Sequence, residues 1–172
     1  MKEIRERLKI FESKYPFADN LNPRLHEAIL DIEDSLDKPK SVDAKMTHWR
    51  TKNELFDIVT SFIGKHIETD FGIMGMTCSE CWGIICNSGD SIETHNHQPS
   101  QFSFAYYVNT PKGSSPLVFD TSGYRVKAES GKIVIFDSKL KHHVPKNKCD
   151  GRSLISGNFI YSKDSGVFGL IH

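Results

Sequence analysis

The feature that most constrains the fold is a change of sequence pattern near Gly72. From there onward, short runs rich in β-branched and aromatic residues are broken by Gly, Asn, Pro and Ser at intervals of roughly ten residues. These runs predict strands near residues 82–87, 91–97, 101–109, 116–119, 124–128, 132–136, 142–145 and 152–162. Eight short strands without helices between them are typical of a sandwich, a barrel or a jelly roll.

The first seventy residues instead carry apolar side chains at helical spacing. One helix is predicted around Ile4, Leu8 and Phe11. A second is expected to start near Asn22, and a third after the N-cap residue Asn53. The apolar positions expected to face the core are Leu25, Ala28, Ile29, Ile32 and Leu36 in the second helix, and Leu55, Ile58, Val59, Phe62 and Ile63 in the third.

The two patterns together predict a mainly β protein with N-terminal helices. We expect a single domain over residues 1–172, in which residues 1–70 form a helical support region and residues 71–172 form the β core. The helices could pack on their own β core or on a second subunit, so an oligomer is compatible with the sequence.

The charge balance argues against a nucleic acid partner. Lys plus Arg and Asp plus Glu both number 22, which leaves no net charge to attract a polyanion or an anionic membrane. No stretch approaches the roughly 18 to 20 apolar residues that a membrane-spanning helix needs. The charged start from Met1 to Arg5 also lacks the apolar part of a signal peptide. We therefore expect a cytoplasmic protein without a membrane partner.

The four cysteines allow two interpretations. Cys78 and Cys81 have the spacing of half a zinc finger, but no second pair of ligands follows at a suitable interval. Small buried side chains in and near a strand are the favoured interpretation, because a cytoplasmic setting keeps thiols reduced.

Two histidines, His95 and His97, lie at the end of a predicted strand. Residues two apart on a strand point to the same face, so both imidazoles can reach one metal ion. A third candidate ligand, His142, follows the apolar run of residues 133–136. Three ligands on one face of a metal leave positions open for substrate and oxygen. Taken alone, His95 and His97 could also be two surface histidines in a loop.

A candidate anion-binding residue, Arg152, follows ten residues after His142 at the start of the last predicted strand. Its planar guanidinium can bind a carboxylate through two parallel hydrogen bonds. The alternative is an arginine that pairs with an acidic residue on the surface.

These residues belong to an ordered series of motifs that resembles the 2-oxoglutarate/Fe(II)-dependent oxygenase superfamily. More narrowly, the series resembles a group of such oxygenases from bacteria and phages that carries the same His-x-His metal motif. Its pieces, in chain order, are Trp82 and Gly89, His95-Asn96-His97-Gln98-Pro99, Tyr106-Tyr107, Pro116-Leu117-Val118-Phe119, Gly131 to Phe136, His142-His143-Val144-Pro145, and Arg152 to Asn158.

The resemblance implies a double-stranded β-helix (a jelly roll of the cupin-like type) and a set of site residues. His95, His97 and His142 would hold Fe(II), while Arg152 would bind the distal carboxylate of the cosubstrate 2-oxoglutarate, assisted by Tyr107. The implied activity is a dioxygenase that uses O2, releases succinate and CO2, and hydroxylates an unidentified prime substrate. A phage origin would place it in the host cytoplasm.

One departure from the superfamily concerns the second ligand, which is usually Asp or Glu but is His97 here. Three neutral imidazoles leave Fe(II) with its full double charge, which should change affinity and redox tuning. Glu93, on the same strand face as His95, is a fallback carboxylate ligand. His143 competes with His142, but the spacing to Arg152 favours His142. His26, His48, His66 and His172 are expected to be solvated.

Two other functions stay open. The first is a cupin-type dioxygenase or isomerase that does not use 2-oxoglutarate, because Gly89 followed by His95-x-His97 also opens a cupin motif. That motif normally adds a glutamate a few residues later, and residues 98–102 contain none. The second is a non-catalytic β-helix binding protein in which any metal serves stability alone.

Overall fold

The computed structural model describes residues 9–31 and 34–162, which form a mainly β structure with two helices. The helices are α1 (Ala18–Asp31) and α2 (Glu54–Phe71). The strands are β1 (Ile10–Lys14), β2 (Val42–Asp43), β3 (Lys45–Met46), β4 (Met76–Cys86), β5 (Ser91–His95), β6 (Phe102–Asn109), β7 (Leu117–Phe119), β8 (Arg125–Val126), β9 (Lys132–Asp137), β10 (His142–Val144) and β11 (Arg152–Tyr161).

The strands form two antiparallel sheets, as the double-stranded β-helix predicted from the sequence requires. The major sheet has the order β1-β9-β6-β11-β4-β3, and the minor sheet has the order β2-β5-β10-β7-β8. Most neighbouring strands come from distant parts of the chain, such as β4 and β11, whereas β7 and β8 form a local hairpin. The predicted fold class is confirmed.

Both faces of the major sheet are buried. Successive residues on a strand point to opposite faces, so each strand contributes side chains to two separate cores. Tyr106 belongs to the core between this sheet and the helices, whereas its neighbour Tyr107 belongs to the core between the two sheets. Helix α1 can approach β4 closely because Gly83 has no side chain; a Cβ there would lie 2.9 Å from Ile29. The helices therefore cover the outer face, and the inner face is left for the site.

The eight strands predicted after Gly72 are all present, with ends that differ by a few residues. The first predicted helix is wrong where the structure describes it. Phe11 lies in β1, which pairs with β9 and places Ile10 opposite Phe136. Pairing with a distant strand outweighs the local helical spacing. Ile4 and Leu8 lie outside the described residues. Since β1, β2 and β3 all precede residue 71 and join the sheets, the support region is not purely helical.

The other two helices exist with corrections. Helix α1 begins at Ala18, before the predicted start. The Asn22 side chain does not cap the helix, because it is buried and donates to the Val108 carbonyl. Leu36 lies beyond the helix and is fully exposed. The N-cap Asn53 is confirmed, since its side chain accepts from the Leu55 N–H. Ile58 is 43% exposed, and the α2 face that packs inward is formed by Phe56, Val59, Ile63 and Ile67.

Neither helix in the described part of the chain is long and apolar enough to cross a membrane. All four cysteines are free thiols. Cys81 is buried and Cys78 is half-buried in β4, as the interpretation of small side chains in a strand expects.

Candidate metal and cosubstrate site

The structure brings the three predicted ligands together. His95 ends β5, His142 begins β10, and the two residues are register partners on adjacent antiparallel strands. His97 lies just past the end of β5, where its backbone N–H donates to the Ser138 carbonyl at 2.9 Å. The ligand atoms of the three imidazoles all lie within 4.8 Å of one another. Within the described residues this is the only such cluster that could hold a metal ion.

Two of the imidazoles are oriented by the backbone. The Nδ1 atoms of His95 and His142 lie 2.8 Å from the carbonyls of Glu93 and Leu140 respectively. A carbonyl can only accept, so each Nδ1 carries the proton and donates. When the ring is neutral, Nε2 keeps its lone pair for a metal, as in many metal sites. The donor set therefore suits a divalent transition metal bound on one face.

The alternative ligands do not join the cluster. The Glu93 side chain is exposed, although its carbonyl orients His95. His143 points away from the cluster and its ring contacts the Asp120 carboxylate. Among the other histidines, His48 is exposed as expected. His26 is not simply solvated, because it is half-buried on α1 and bonds the Ser153 hydroxyl at 2.8 Å.

Burial lowers the pKa of all three imidazoles in the cluster. The pKa of His97 falls to about 3, with further lowering by the charges of His142 and His95. The pKa of His142 falls to about 4, and that of His95 is lowered as well. The three rings are thus neutral near pH 7, which is the state that can bind a metal.

These pKa shifts predict that the metal-free protein loses stability on acidification. Below the ordinary imidazole pKa of 6.5, the unfolded chain binds a proton at each of these histidines, whereas the folded chain does not. Proton binding therefore favours the unfolded chain. Stability is therefore full above pH 6.5 and falls toward pH 4, by up to about 1.4 kcal/mol per pH unit for each such ring. Urea unfolding of chelator-treated protein at pH 7 and pH 5 measures this, and the difference should shrink in His97→Asn. Equal stability at both pH values would contradict it.

Arg152 is fully buried at the start of β11. Its Nε donates to the Ser115 carbonyl at 3.1 Å, and its Nη1 donates to the Cys86 sulfur at 3.5 Å. Its Nη2 has no hydrogen-bond partner, and no acidic residue in the described part of the chain forms an ion pair with it. Arginine stays charged in proteins, and a buried charge without a counter-ion is costly. The surface ion pair considered as the alternative is therefore excluded.

Tyr107 lies beside this arginine and also has an unsatisfied polar atom. The guanidinium carbon of Arg152 is 5.4 Å from the centre of the Tyr107 ring. The Tyr107 hydroxyl is buried without a hydrogen-bond partner. Burial raises the pKa of this hydroxyl, while the positive charge of Arg152 acts in the opposite direction. The hydroxyl is therefore neutral and keeps a proton to donate.

One cavity of about 60 Å³ connects the histidine cluster to Arg152 and Tyr107. Two unsatisfied polar atoms and three imidazoles thus line a single interior space whose other walls are mostly apolar. Buried polar groups in proteins are normally hydrogen-bonded. The cavity therefore suits a small anionic ligand that would lie between the guanidinium and a metal ion.

Sequence reasoning missed part of the cavity wall. Trp49 lies in a segment without periodicity and enters the cavity only through the fold. It packs edge-on against Trp82, with ring centres 4.7 Å apart, and Trp82 packs beside His97. Alternation along β4 could have placed Trp82 on the inner face. The contacts of Arg152 with Ser115 and Cys86 left no signal in the sequence.

Comparison with known proteins gives one family match. Residues 80–126, which include His95, His97 and Tyr107, match the family described as "Putative 2OG-Fe(II) oxygenase". No curated protein matches the sequence.

Solved structures with a similar fold cover most of the chain. The viral collagen prolyl hydroxylase of Paramecium bursaria Chlorella virus-1, in complex with 2-oxoglutarate, has a TM-score of 0.71 at 14% identity, covering 87% of this chain and 94% of that one. A Pseudomonas putida prolyl-4-hydroxylase has a TM-score of 0.68 at 17% identity, with 88% and 92% covered. HygX of Streptomyces hygroscopicus, with nickel and 2-oxoglutarate bound, has a TM-score of 0.63 at 9% identity, with 90% and 83% covered.

The protein therefore has a double-stranded β-helix fold, and a three-histidine cluster lies inside it. The family match over β4 to β8 and this fold together confirm the resemblance to the 2-oxoglutarate/Fe(II) oxygenase superfamily predicted from the sequence. The predicted cofactor and cosubstrate, Fe(II) and 2-oxoglutarate, are those of the matched family.

Proposed function

We propose that this protein is an Fe(II)- and 2-oxoglutarate-dependent dioxygenase that hydroxylates a prime substrate. In this assignment His95, His97 and His142 hold the metal, and Arg152 and Tyr107 bind the distal carboxylate of 2-oxoglutarate. One oxygen atom of O2 enters succinate and the other enters the substrate, with release of CO2. The cytoplasmic location, and an assembly of more than one subunit, stay predictions.

One observation carries the proposal. The buried guanidinium of Arg152 has no anionic partner and shares a cavity with the histidine cluster. A dicarboxylate in that cavity would place one carboxylate against the guanidinium and the Tyr107 hydroxyl, and its 2-oxo acid end toward the histidines. This arrangement satisfies both unpaired polar atoms at once. A cupin-type enzyme that does not use 2-oxoglutarate leaves them unexplained.

The residues would divide the work as follows. Bound Fe(II) would supply the activation of O2, and the protein would supply position and dryness. The backbone-oriented Nε2 atoms of His95 and His142 would hold the metal on one side, which leaves positions open on the other. Apolar walls formed by Leu154, Phe136 and Trp82 would exclude water from the reacting groups.

Anaerobic addition of Fe(II) and then 2-oxoglutarate tests this function directly. We expect a weak visible charge-transfer band that needs both additions, followed by succinate release once air is admitted. Glutarate, the analogue of 2-oxoglutarate that lacks the 2-oxo group, should give no band. A protein that binds Fe(II) but shows neither a band nor succinate release would favour a cupin-type or purely structural metal site. Since structural neighbours are described as prolyl hydroxylases, prolyl peptides are one substrate class to include.

A further inference from the structure

An open cleft of about 610 Å³ adjoins the buried cavity. Its wall includes Trp49 and His97, which also line the cavity of the histidine cluster. These two side chains therefore stand at the junction of cleft and cavity. A substrate group that comes from the cleft would pass between them to reach the cluster.

The cleft continues into a second groove of about 430 Å³, because Arg50, Ser79 and Glu80 line both. Six consecutive residues of β4, from Met76 to Cys81, line this groove. On its other side lies the polar face of α2, including Asp57 and Ser61. The groove therefore runs along a strand rather than ending in a compact pocket.

The strand along this groove has one free edge. β4 pairs with β11 along its length. On its other side it pairs with β3 at Ile84 and Ile85, and Cys81 bonds the backbone of Trp49 and Thr51. Among the described residues, no strand pairs with Met76–Glu80 on that side. An unpaired edge presents backbone N–H and C=O groups that an extended peptide can pair with.

We propose that the prime substrate is an extended polypeptide segment that adds to the Met76–Glu80 edge and directs one side chain between Trp49 and His97. This inference rests on the proposed function and names the substrate class. The groove carries both signs of charge, with Arg50 and Lys52 beside Asp57 and Glu80. A groove with both charges can accept a peptide that carries both charges, whereas its two carboxylates would repel the phosphates of a nucleic acid strand.

The test compares three substrate mixtures with the Fe(II)-loaded full chain. A pool of random-sequence peptides of about ten residues, a mixture of the free amino acids and a mixture of nucleosides are each added with 2-oxoglutarate and O2. We expect the peptide pool alone to increase succinate release above the substrate-free rate, and mass spectrometry to find peptides that have gained one oxygen atom.

A groove-filling variant identifies where the peptide binds. Ser61 is exposed on α2 and lines the groove, so the indole of Ser61→Trp would occupy the space that the peptide needs. Peptide-stimulated turnover should fall by about tenfold or more, which corresponds to a loss of about 1.4 kcal/mol of peptide binding. Lys65, one turn further along the exposed face, does not line the groove, and Lys65→Trp should leave turnover unchanged. Both variants should keep the charge-transfer band and the substrate-free rate, because neither residue lines the histidine cavity.

Several results would overturn the inference while the proposed function stands. They are a charge-transfer band without any peptide stimulation, equal stimulation by free amino acids or nucleosides, or full peptide turnover in Ser61→Trp. Absence of the band itself would instead count against the proposed function, so the two failures are distinguishable.

Discussion

Replacing Arg152 by methionine should weaken 2-oxoglutarate binding by about thirtyfold or more while leaving the protein at least as stable. The loss of affinity follows because the guanidinium is the buried cation in the cavity, and removing one partner of a buried charge pair costs about 2 to 5 kcal/mol. Stability should hold because the ligand-free protein keeps this charge buried with Nη2 unpaired. Apolar residues of similar volume at such positions are often neutral or stabilising.

Anaerobic titration of the Fe(II)-loaded variant with 2-oxoglutarate measures the affinity, and urea unfolding of the metal-free form measures stability. Arg152→Lys should bind 2-oxoglutarate with intermediate affinity, because it keeps the charge but loses the planar fork. Arg125 is exposed on β8 and serves as the matched control, since Arg125→Met should change neither quantity. Unchanged affinity in Arg152→Met would exclude this arginine as the cosubstrate anchor and would favour the cupin-type alternative.

Replacing His97 by leucine should lower Fe(II) affinity by at least about a hundredfold. Loss of a residue that only supports a ligand already lowers metal affinity by about 10- to 100-fold, and loss of a ligand should cost at least as much. His97→Asp should instead retain Fe(II) binding and tighten it, because a carboxylate donor neutralises part of the double charge that three imidazoles leave uncompensated. Without metal, the same aspartate would be a largely buried carboxylate beside Trp82, so the apo form of His97→Asp should unfold more easily.

Competition with a coloured chelator under anaerobic conditions measures the Fe(II) affinity of each variant. His48→Leu is the control, since His48 is exposed and outside the cluster. Wild-type affinity in His97→Leu would show that His95 and His142 bind the metal without this residue. Weaker binding in His97→Asp than in the wild type would mean that the site is built for a neutral donor at position 97.

The strands of the β core could be predicted well, because each is marked by residues within the strand and in the turns beside it. Turn residues separate short β-rich runs, and the candidate metal ligands and Arg152 lie at or just past strand ends that such turns define. β1 was missed because it exists only through pairing with β9, far along the chain. The two-residue strands β2 and β3 likewise depend on partners and not on any run of their own.

The chemistry of the site was only partly readable from the sequence. The choice between His142 and His143 depended on family spacing, and the fold gives the physical reason, because adjacent strand residues face opposite ways. The missing counter-ion of Arg152 could not be foreseen, since it depends on every side chain that surrounds the guanidinium. Trp49 could not be foreseen either, because an irregular segment carries it to the cavity.

The pairing of His95 with His142 has a mechanical consequence. These residues face each other across β5 and β10, so an ion held by both would cross-link the two strands in the middle of the minor sheet. This sheet is built from strands of two to five residues, whereas the longer strands belong to the other sheet. The supply of iron would then control the resistance of the folded chain to proteases as well as its catalytic rate.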